Sequence, residues 1–324
     1  MIKGIKETVT APTDGFHQEE STIEVEKKKS QPFELEDSEH HLKACKVSTP
    51  EVQTTPVIFT SPHSGRNYFP QFLASSRLNK LDLRRSEDAF LDEVFKRVPE
   101  NGAPLLCAKF PRAYVDVNRE AFELDPTMFH DPLPNFVKTT SPRITAGLGT
   151  IAKIVTDGEE IYHAKISVKE ALWRIENFYR PYHEILQKMI KKTKQQFGGC
   201  LLIDCHSMPH QSSPFSKITG KRFDIVLGNC FGRSCSNKLT NLAKQTLKST
   251  GLSVILNKPY SGGFTTSNYG RPNNSVHVLQ IEINRSLYMD ENRIRRGPGM
   301  TNLISCMTEF VSTLTKIDPS ILND

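Results

Sequence analysis

The segment CLLIDCHSMP, residues 200–209, decides the fold prediction for this chain. It follows directly after Gly198 and Gly199, and its first six residues form a short, nearly continuous apolar run. Such a run is typical of a strand that is covered on both faces, as in a parallel sheet. A strand over 200–205 would deliver His206 at its carboxyl end.

Apolar runs on both sides of this segment predict the rest of the sheet. Four further strands are expected at 57–60, 223–227, 252–256 and 276–283. Apolar residues at helical spacing predict four helical segments. The first starts from an N-cap at Ser86, and the second covers 168–196 with an interruption at Pro181. The others cover 234–249 and 299–316. Strands that alternate with helices indicate an α/β fold.

The first fifty residues differ from the others in composition. They are rich in Glu, Lys, Ser and Thr and poor in aromatic residues, which leaves too little apolar surface to offset the entropy lost on ordering. We therefore predict that residues 1–50 form a disordered tail and that residues 51–324 form a single α/β domain.

Charge and composition argue against several classes of protein. The formal net charge of +6 is spread along the chain, so we expect no nucleic-acid partner. The sequence has no signal-peptide pattern and no apolar run near the roughly 20 residues that span a bilayer, so we expect a cytoplasmic protein without a membrane partner. Seven cysteines without a C-x-x-C pair indicate neither a disulfide framework nor a zinc ribbon.

Polar residues at the predicted strand ends are the candidates for chemistry, because active sites of α/β sheets lie at the carboxyl ends of the strands. His63, His206 and Glu282 occupy such places, and Asp88 lies near a predicted helix start. Two imidazoles and carboxylates are the ingredients of a catalytic zinc site. Taken singly, each residue has a plainer interpretation. Either histidine could be a hydrogen-bonded structural residue, and Asp88 could be an acid at a helix N-terminus. Glu282 could form an ion pair with Arg285.

Two further segments carry candidate binding groups. FPRAYVDVNR at 110–119 is predicted as a strand-like run with two guanidiniums, which either bind an acidic substrate or form a surface ion-pair ladder. PYSGGFTTSNYG at 259–270 is flexible enough to cover a substrate, although an ordinary surface turn fits its composition equally well. Cys205 and His206 do not suit a nucleophile pair, because adjacent residues of a strand point to opposite faces.

Several of these segments together resemble the N-formylglutamate amidohydrolase family, whose fold and metal chemistry are similar to those of the zinc carboxypeptidases. The resemblance runs from about 56 to 316 and implies a mixed, mostly parallel sheet flanked by helices. It is carried by SPHSG at 61–65, SEDAFLDEVF at 86–95, FPRAYVDVNR at 110–119, GLGTIAKIV at 147–155, LLIDCHSMP at 201–209, DIVLG at 224–228, PYSGGFTTSNYGRP at 259–272 and LQIEINRSLYMDE at 279–291.

The resemblance also implies roles for individual residues. His63 and His206 are expected to bind one zinc ion per chain, with the third ligand from the SED segment, for which we choose Asp88 over Glu87. Glu282 is expected to be the general base. The expected substrate-binding residues are Asn118 and Arg119, which correspond to a carboxylate-gripping Asn-Arg pair, with Arg112 and Arg285 as helpers.

The implied reaction is hydrolysis of N-formyl-L-glutamate to formate and L-glutamate, with a small-molecule N-acyl amino acid as the partner. Two alternatives remain: hydrolysis of another N-acyl amino acid or a peptide end, and a binding protein on the same fold without turnover. The chain differs from the family at Asn268, where the family usually has a histidine, and this difference bears on the acyl specificity.

Overall fold

The computed structural model describes residues 44–155, 158–218 and 220–323. Within this part of the chain the strands are β1 Cys45–Ser48, β2 Val57–Ser61, β3 Leu105–Ala108, β4 Cys200–Met208, β5 Ile225–Gly228, β6 Val254–Leu256, β7 Val276–Asn284, β8 Met289–Asp290 and β9 Arg295–Arg296. The α-helices are α1 Pro70–Ser75, α2 Lys80–Leu83, α3 Leu91–Val94, α4 Pro142–Thr145, α5 Val168–Arg174, α6 Arg180–Phe197, α7 Asn237–Ser249, α8 Phe264–Tyr269 and α9 Met300–Leu314.

Seven strands form one sheet in the order β1-β3-β2-β4-β7-β5-β6. Strand β4 lies at its centre and pairs in parallel with β2 and with β7. The pairs β2/β3 and β5/β6 are also parallel, whereas β1/β3 and β5/β7 are antiparallel. The predicted mixed, mostly parallel sheet flanked by helices is therefore confirmed.

Both faces of the sheet are covered by apolar side chains. On β4, Cys200 and Leu202 face a core shared with α5 and α6, while Leu201, Ile203 and Cys205 face a core shared with α7 and α9. A strand that is buried on two faces needs apolar residues at consecutive positions, which explains the continuous run in the sequence.

The α5/α6 face of the sheet changes character toward the strand ends. On β4 the alternation that begins with Cys200 and Leu202 continues with Asp204 and His206, all of them buried. On β7, which is paired so that Glu282 lies opposite His206, the same face presents Gln280 and Glu282. Apolar packing at one end of this face thus gives way to polar groups at the other.

The sequence missed two strands of the seven-stranded sheet, and it also missed the separate two-stranded pair β8/β9. Strand β1 lies within the segment 1–50 that we predicted as a tail, and β3 was not predicted. Both are four residues long, which gives a periodic pattern little length to develop. The rest of the predicted tail, residues 1–43, lies outside the described residues, so the division into tail and domain stays a prediction.

The predicted helix start at Ser86 is wrong. Residues Arg84–Ser86 form a 3-10 turn, Glu87 has an extended backbone, and the helix begins only at Leu91. The backbone N–H of Asp88 donates to the carbonyl of His63 at 2.9 Å, a contact with a distant segment that takes the place of the bond to the Ser86 hydroxyl expected at an N-cap.

The predicted strand-like run at 110–119 is also wrong, because this segment consists of turns after β3. The Tyr114 N–H donates to the Pro111 carbonyl at 3.0 Å, and the Asp116 N–H donates to the Thr150 carbonyl at 2.8 Å. These local and cross-loop bonds take the place of a sheet ladder.

The long helical pattern over 168–196 is interrupted close to the predicted point. Between α5 and α6 the chain forms a π-helical segment, Ile175–Tyr179, immediately before Arg180 and Pro181. Proline has no N–H to donate to the preceding turn, so the regular ladder of helical hydrogen bonds is disturbed there.

In the described part of the chain, no helix combines the length and apolarity that crossing a membrane requires.

The turn after β2 is packed so closely that only glycine fits at position 65. A Cβ at Gly65 would lie 2.1 Å from the Phe110 carbonyl oxygen and 2.6 Å from the Lys109 carbonyl carbon.

We expect Gly65→Ala to lower the free energy of unfolding by about 1–3 kcal/mol, as overpacking against backbone does. Urea denaturation measures this loss. The neighbouring Arg66→Ala, which removes partly exposed ion pairs with Asp92 and Glu93, is the control and should cost less than about 1 kcal/mol. Equal stability of Gly65→Ala and the parent protein would contradict this packing.

Candidate active site

His63, Asp88 and His206 form a buried cluster at the carboxyl edge of the sheet. One nitrogen of each imidazole and one oxygen of the carboxylate all lie within 4.8 Å of one another. The three residues are 0%, 1% and 3% exposed, so little water reaches these atoms. The structure thus brings together the two histidines and the carboxylate that the resemblance implied as ligands.

The two oxygens of Asp88 have different surroundings. Oδ1 accepts hydrogen bonds from the Ser207 hydroxyl and from Arg285 Nη2, each at 3.2 Å. Oδ2 lies 3.0 Å from His206 Nδ1 and 3.4 Å from His63 Nδ1. Burial by itself would raise the pKa of Asp88, but the two histidines reverse this effect and hold the pKa well below its ordinary value.

A second carboxylate lies behind each imidazole. His63 Nε2 is 2.8 Å from Asp116 Oδ1, and His206 Nε2 is 2.9 Å from Asp204 Oδ2. Asp204 in turn accepts from the Thr60 hydroxyl at 2.8 Å. Histidines that bind a metal through one ring nitrogen generally donate from the other nitrogen to such a carboxylate, which fixes the orientation of the ring.

Sequence reasoning missed Asp116 and Asp204 as functional residues. A signal was available for Asp204, because residues two apart on a strand share a face and Asp204 lies two before His206. For Asp116 no comparable signal existed, since it meets His63 across a separation of 53 residues through a loop contact.

The cluster suits a divalent ion of the zinc type. Nδ1 of His63 is buried and has no hydrogen-bond partner within the described residues, although it faces Asp88. Buried polar atoms are normally satisfied, so a buried orphan aimed at a carboxylate and a second imidazole is what a ligand atom without its ion looks like. Imidazole nitrogen and carboxylate oxygen are donors that zinc accepts.

Glu87, the alternative third ligand, points elsewhere. It accepts hydrogen bonds from the Tyr68 hydroxyl at 2.8 Å and from Arg84 Nε at 3.1 Å. The geometry therefore favours Asp88 for the cluster.

Glu282 lies beside the cluster on β7. One of its carboxylate oxygens accepts a hydrogen bond from the Gln280 amide at 2.8 Å, and the side chain is buried. Burial raises the pKa of Glu282 above its ordinary value. A carboxyl group with a raised pKa can both accept and return a proton near neutral pH. The alternative ion pair with Arg285 does not explain this residue, because Arg285 is directed at Asp88 instead.

A cavity of about 380 Å³ opens above these groups, a size in the range of small-molecule sites. His63, Asp88, His206 and Glu282 line it together with all four predicted substrate-binding residues, Arg112, Asn118, Arg119 and Arg285. The guanidiniums differ in how far their donors are already used.

Arg285 donates to Ser207 at 3.1 Å, to the Arg85 carbonyl at 3.1 Å and to Asp88. Arg119 donates to the carbonyls of Leu148 and Asn118, each at 2.8 Å. Arg112 donates through Nε to Asp116 at 2.9 Å and remains partly exposed. These bonds are made inside the site, so the surface ion-pair ladder does not describe this segment.

The glycine-rich segment closes one side of the cavity and is fastened to Asn118. The Thr265 N–H at the start of α8 donates to Asn118 Oδ1 at 2.9 Å. A Cβ at Gly263 would lie 2.3 Å from Asn118 Nδ2, so glycine is required for this approach. Asn268, where the chain departs from the family pattern, is exposed and is not among the described residues that line the cavity.

His183 links the same two segments from behind. Its Nδ1 lies 2.8 Å from the Tyr269 hydroxyl and its Nε2 lies 2.9 Å from the Val117 carbonyl. Burial lowers the pKa of His183 to about 4, so the ring is neutral and joins the end of α8 to the residue before Asn118 without adding charge.

Comparison with known proteins identifies the family. The model of the N-formylglutamate amidohydrolase family matches residues 55–289. The N-formylglutamate deformylase of Pseudomonas putida is 26% identical over 243 residues, which cover 73% of this chain and 82% of the relative. The N-formylglutamate deformylase of Pseudomonas aeruginosa is 27% identical over 239 residues, or 73% of this chain and 83% of the relative.

Among solved structures, the N-formylglutamate amidohydrolase of Ralstonia eutropha JMP134 superposes with a TM-score of 0.79 at 32% identity, covering 85% of this chain and 98% of that chain. A family model that spans most of the sheet and the cavity, and a solved relative of the same family, lead to one conclusion: this chain belongs to the N-formylglutamate amidohydrolase family.

Proposed function

We propose that this chain is a metal-dependent amidohydrolase that converts N-formyl-L-glutamate into formate and L-glutamate. The observation that carries the proposal is the convergence of His63, Asp88 and His206 beside the buried Glu282 at a cavity lined with arginines. The name of the family and the names of its two Pseudomonas relatives support the choice of substrate.

We propose His63, Asp88 and His206 as the ligands of one zinc ion. Three protein ligands with one position left for water are the composition of catalytic zinc sites. When bound, such an ion acts as a Lewis acid and makes a water molecule reactive at neutral pH. Asp116 and Asp204 hold the two rings in place by accepting from their outer nitrogens.

Glu282 is proposed to move the proton. Its carboxylate lies on the strand next to His206, at the floor of the cavity, where water and substrate would meet. It accepts a proton as water attacks the formyl carbon and returns that proton to the nitrogen of the departing amino group. Gln280 fixes the carboxylate through one oxygen and leaves the other for this exchange.

The arginines are proposed to hold and orient the substrate. Arg112 and Arg119 carry the charge that a substrate carboxylate needs. Asn118 lines the same cavity, with its amide nitrogen 3.3 Å from Nε2 of His206. Arg285, whose donors are engaged by Asp88 and its neighbours, keeps the metal-binding carboxylate in position. Orientation of this kind converts binding into rate by holding the reacting atoms in place.

Formate release from N-formylglutamate by the purified protein tests the proposal. We expect release that stops after chelation and returns with zinc, together with about one zinc per chain. Release from a different N-acyl amino acid alone would redirect the substrate assignment. Absence of both zinc and turnover would contradict the proposal and favour a binding protein on this fold.

Glu282→Gln should separate metal binding from turnover. Because the amide cannot accept the proton, we expect kcat to fall by a factor of about 10² to 10⁴ while zinc content is retained. Glu309→Gln, on the exposed side of α9, is the matched control and should keep full activity. An active Glu282→Gln protein would exclude this residue as the base.

Asp204→Asn should weaken the metal site without removing a ligand. The substitution replaces the carboxylate behind His206, and we expect zinc affinity to fall by about 10- to 100-fold, measured by competition with a chromophoric chelator. Asp224→Asn is the control, since Asp224 accepts from Ser253 and does not line the cavity. Unchanged affinity in Asp204→Asn would show that this carboxylate does not support the ligand.

A further inference from the structure

Arg143 is a cavity-lining guanidinium to which the function proposed above assigns no role. Arg143 lies on the cavity wall. Among the described residues its ion-pair partner is Glu123, whose Oε2 is 3.9 Å from Nη1 and thus beyond hydrogen-bond distance. Its side chain is 39% exposed. Arg119 and Arg285 already donate several of their N–H groups to protein oxygens, so Arg143 has the larger unused donor capacity.

The backbone that carries Arg143 is fixed in two ways. Ser141 caps the short helix α4 by accepting from the Ile144 N–H at 3.1 Å, and its hydroxyl donates to the buried Glu123. The Leu148 N–H donates to the Arg143 carbonyl at 2.8 Å, while the Leu148 carbonyl accepts from Arg119. Arg119 and Arg143 are therefore set by the same turn, and Arg143 is presented from ordered backbone.

Positive charge in this part of the cavity is in excess. The lining contains the guanidiniums of Arg112, Arg119, Arg143 and Arg285 against the carboxylates of Asp88, Asp116 and Glu282, before any metal is counted. Burial lowers the pKa of Arg119 to about 10, Asp116 opposes this shift, and the positive charges of Arg112 and Arg143 add to it. An arriving anion would relieve this repulsion.

Part of the cavity lining is apolar. Leu148, whose N–H donates to the Arg143 carbonyl, lines the cavity together with Ala152 and Ile154. A guanidinium together with apolar side chains in one cavity suits a ligand with a short aliphatic chain that ends in an anion.

We propose that Arg143 binds the side-chain carboxylate of the substrate and thereby selects acidic over neutral N-acyl amino acids. This inference rests on the proposed function and adds the residue that determines specificity. Arg112, Asn118 and Arg119 are left to hold the carboxylate next to the amide nitrogen, so each substrate carboxylate has its own guanidinium.

The test compares N-formylglutamate with N-formylglutamine, which has the same length and shape but a neutral side-chain end. For the zinc-loaded parent protein we expect a higher kcat/KM on N-formylglutamate. In Arg143→Met we expect kcat/KM on N-formylglutamate to fall by about 10- to 100-fold, mainly through KM, as for the loss of a charge-assisted hydrogen bond. The value for N-formylglutamine should change by less than about threefold, so the preference collapses.

Two controls accompany the variant. Arg97→Met removes a more exposed arginine, which is paired with Glu100 and does not line the cavity, and it should leave kcat/KM for both substrates unchanged. Arg143→Lys keeps the charge without the planar fork and should recover part of the preference.

The outcomes separate this inference from the proposed function. Suppose that the parent protein hydrolyses both substrates but Arg143→Met leaves the ratio of their kcat/KM values unchanged. The inference on Arg143 is then overturned while deformylation stands. If the zinc-loaded parent hydrolyses neither substrate, the proposed function fails and the specificity role falls with it.

Discussion

A buried carboxylate between two buried imidazoles is the constraint on which the rest of this structure depends. Asp88 cannot stay ionised inside the protein unless its lone pairs are occupied, and the loss of any partner would leave a charge without compensation. One oxygen is satisfied by Ser207 and Arg285 and the other faces His63 and His206. Because these partners come from three separate segments, the cluster also fixes how those segments meet.

The parallel sheet makes that meeting possible. Strands β2, β4 and β7 run side by side in the same direction, so their carboxyl ends reach one edge together. His63 follows β2, and His206 and Glu282 stand opposite each other near the ends of β4 and β7. Alternation along β4 places apolar residues over the core and polar residues near the carboxyl end on the same face. One strand thereby supports both stability and chemistry.

The sequence predicts those features that local residue patterns decide, and it misses those that contacts between distant segments decide. The strands at 57–61, 200–208 and 276–284 are encoded by local apolar runs. His63, His206 and Glu282 could be chosen because they lie at or near the ends of those runs. Asp116 and the start of α3 could not be found in this way, because a contact between loops decides each of them. Ser86 has the residue type of a helix cap, yet the bond from Asp88 to the His63 carbonyl keeps the chain extended there. Arg143 likewise gains meaning only when the turn through Leu148 brings it beside Arg119.

The contact between Gly263 and Asn118 bears on the thermodynamics of ligand entry. The segment over the cavity is already hydrogen-bonded to Asn118 through Thr265, and His183 ties its far end to Val117. A wall that is ordered before the ligand arrives loses little conformational entropy on association, so most of the contact free energy is retained as affinity. A wall built in this way can select ligands by fit and charge without first having to become ordered.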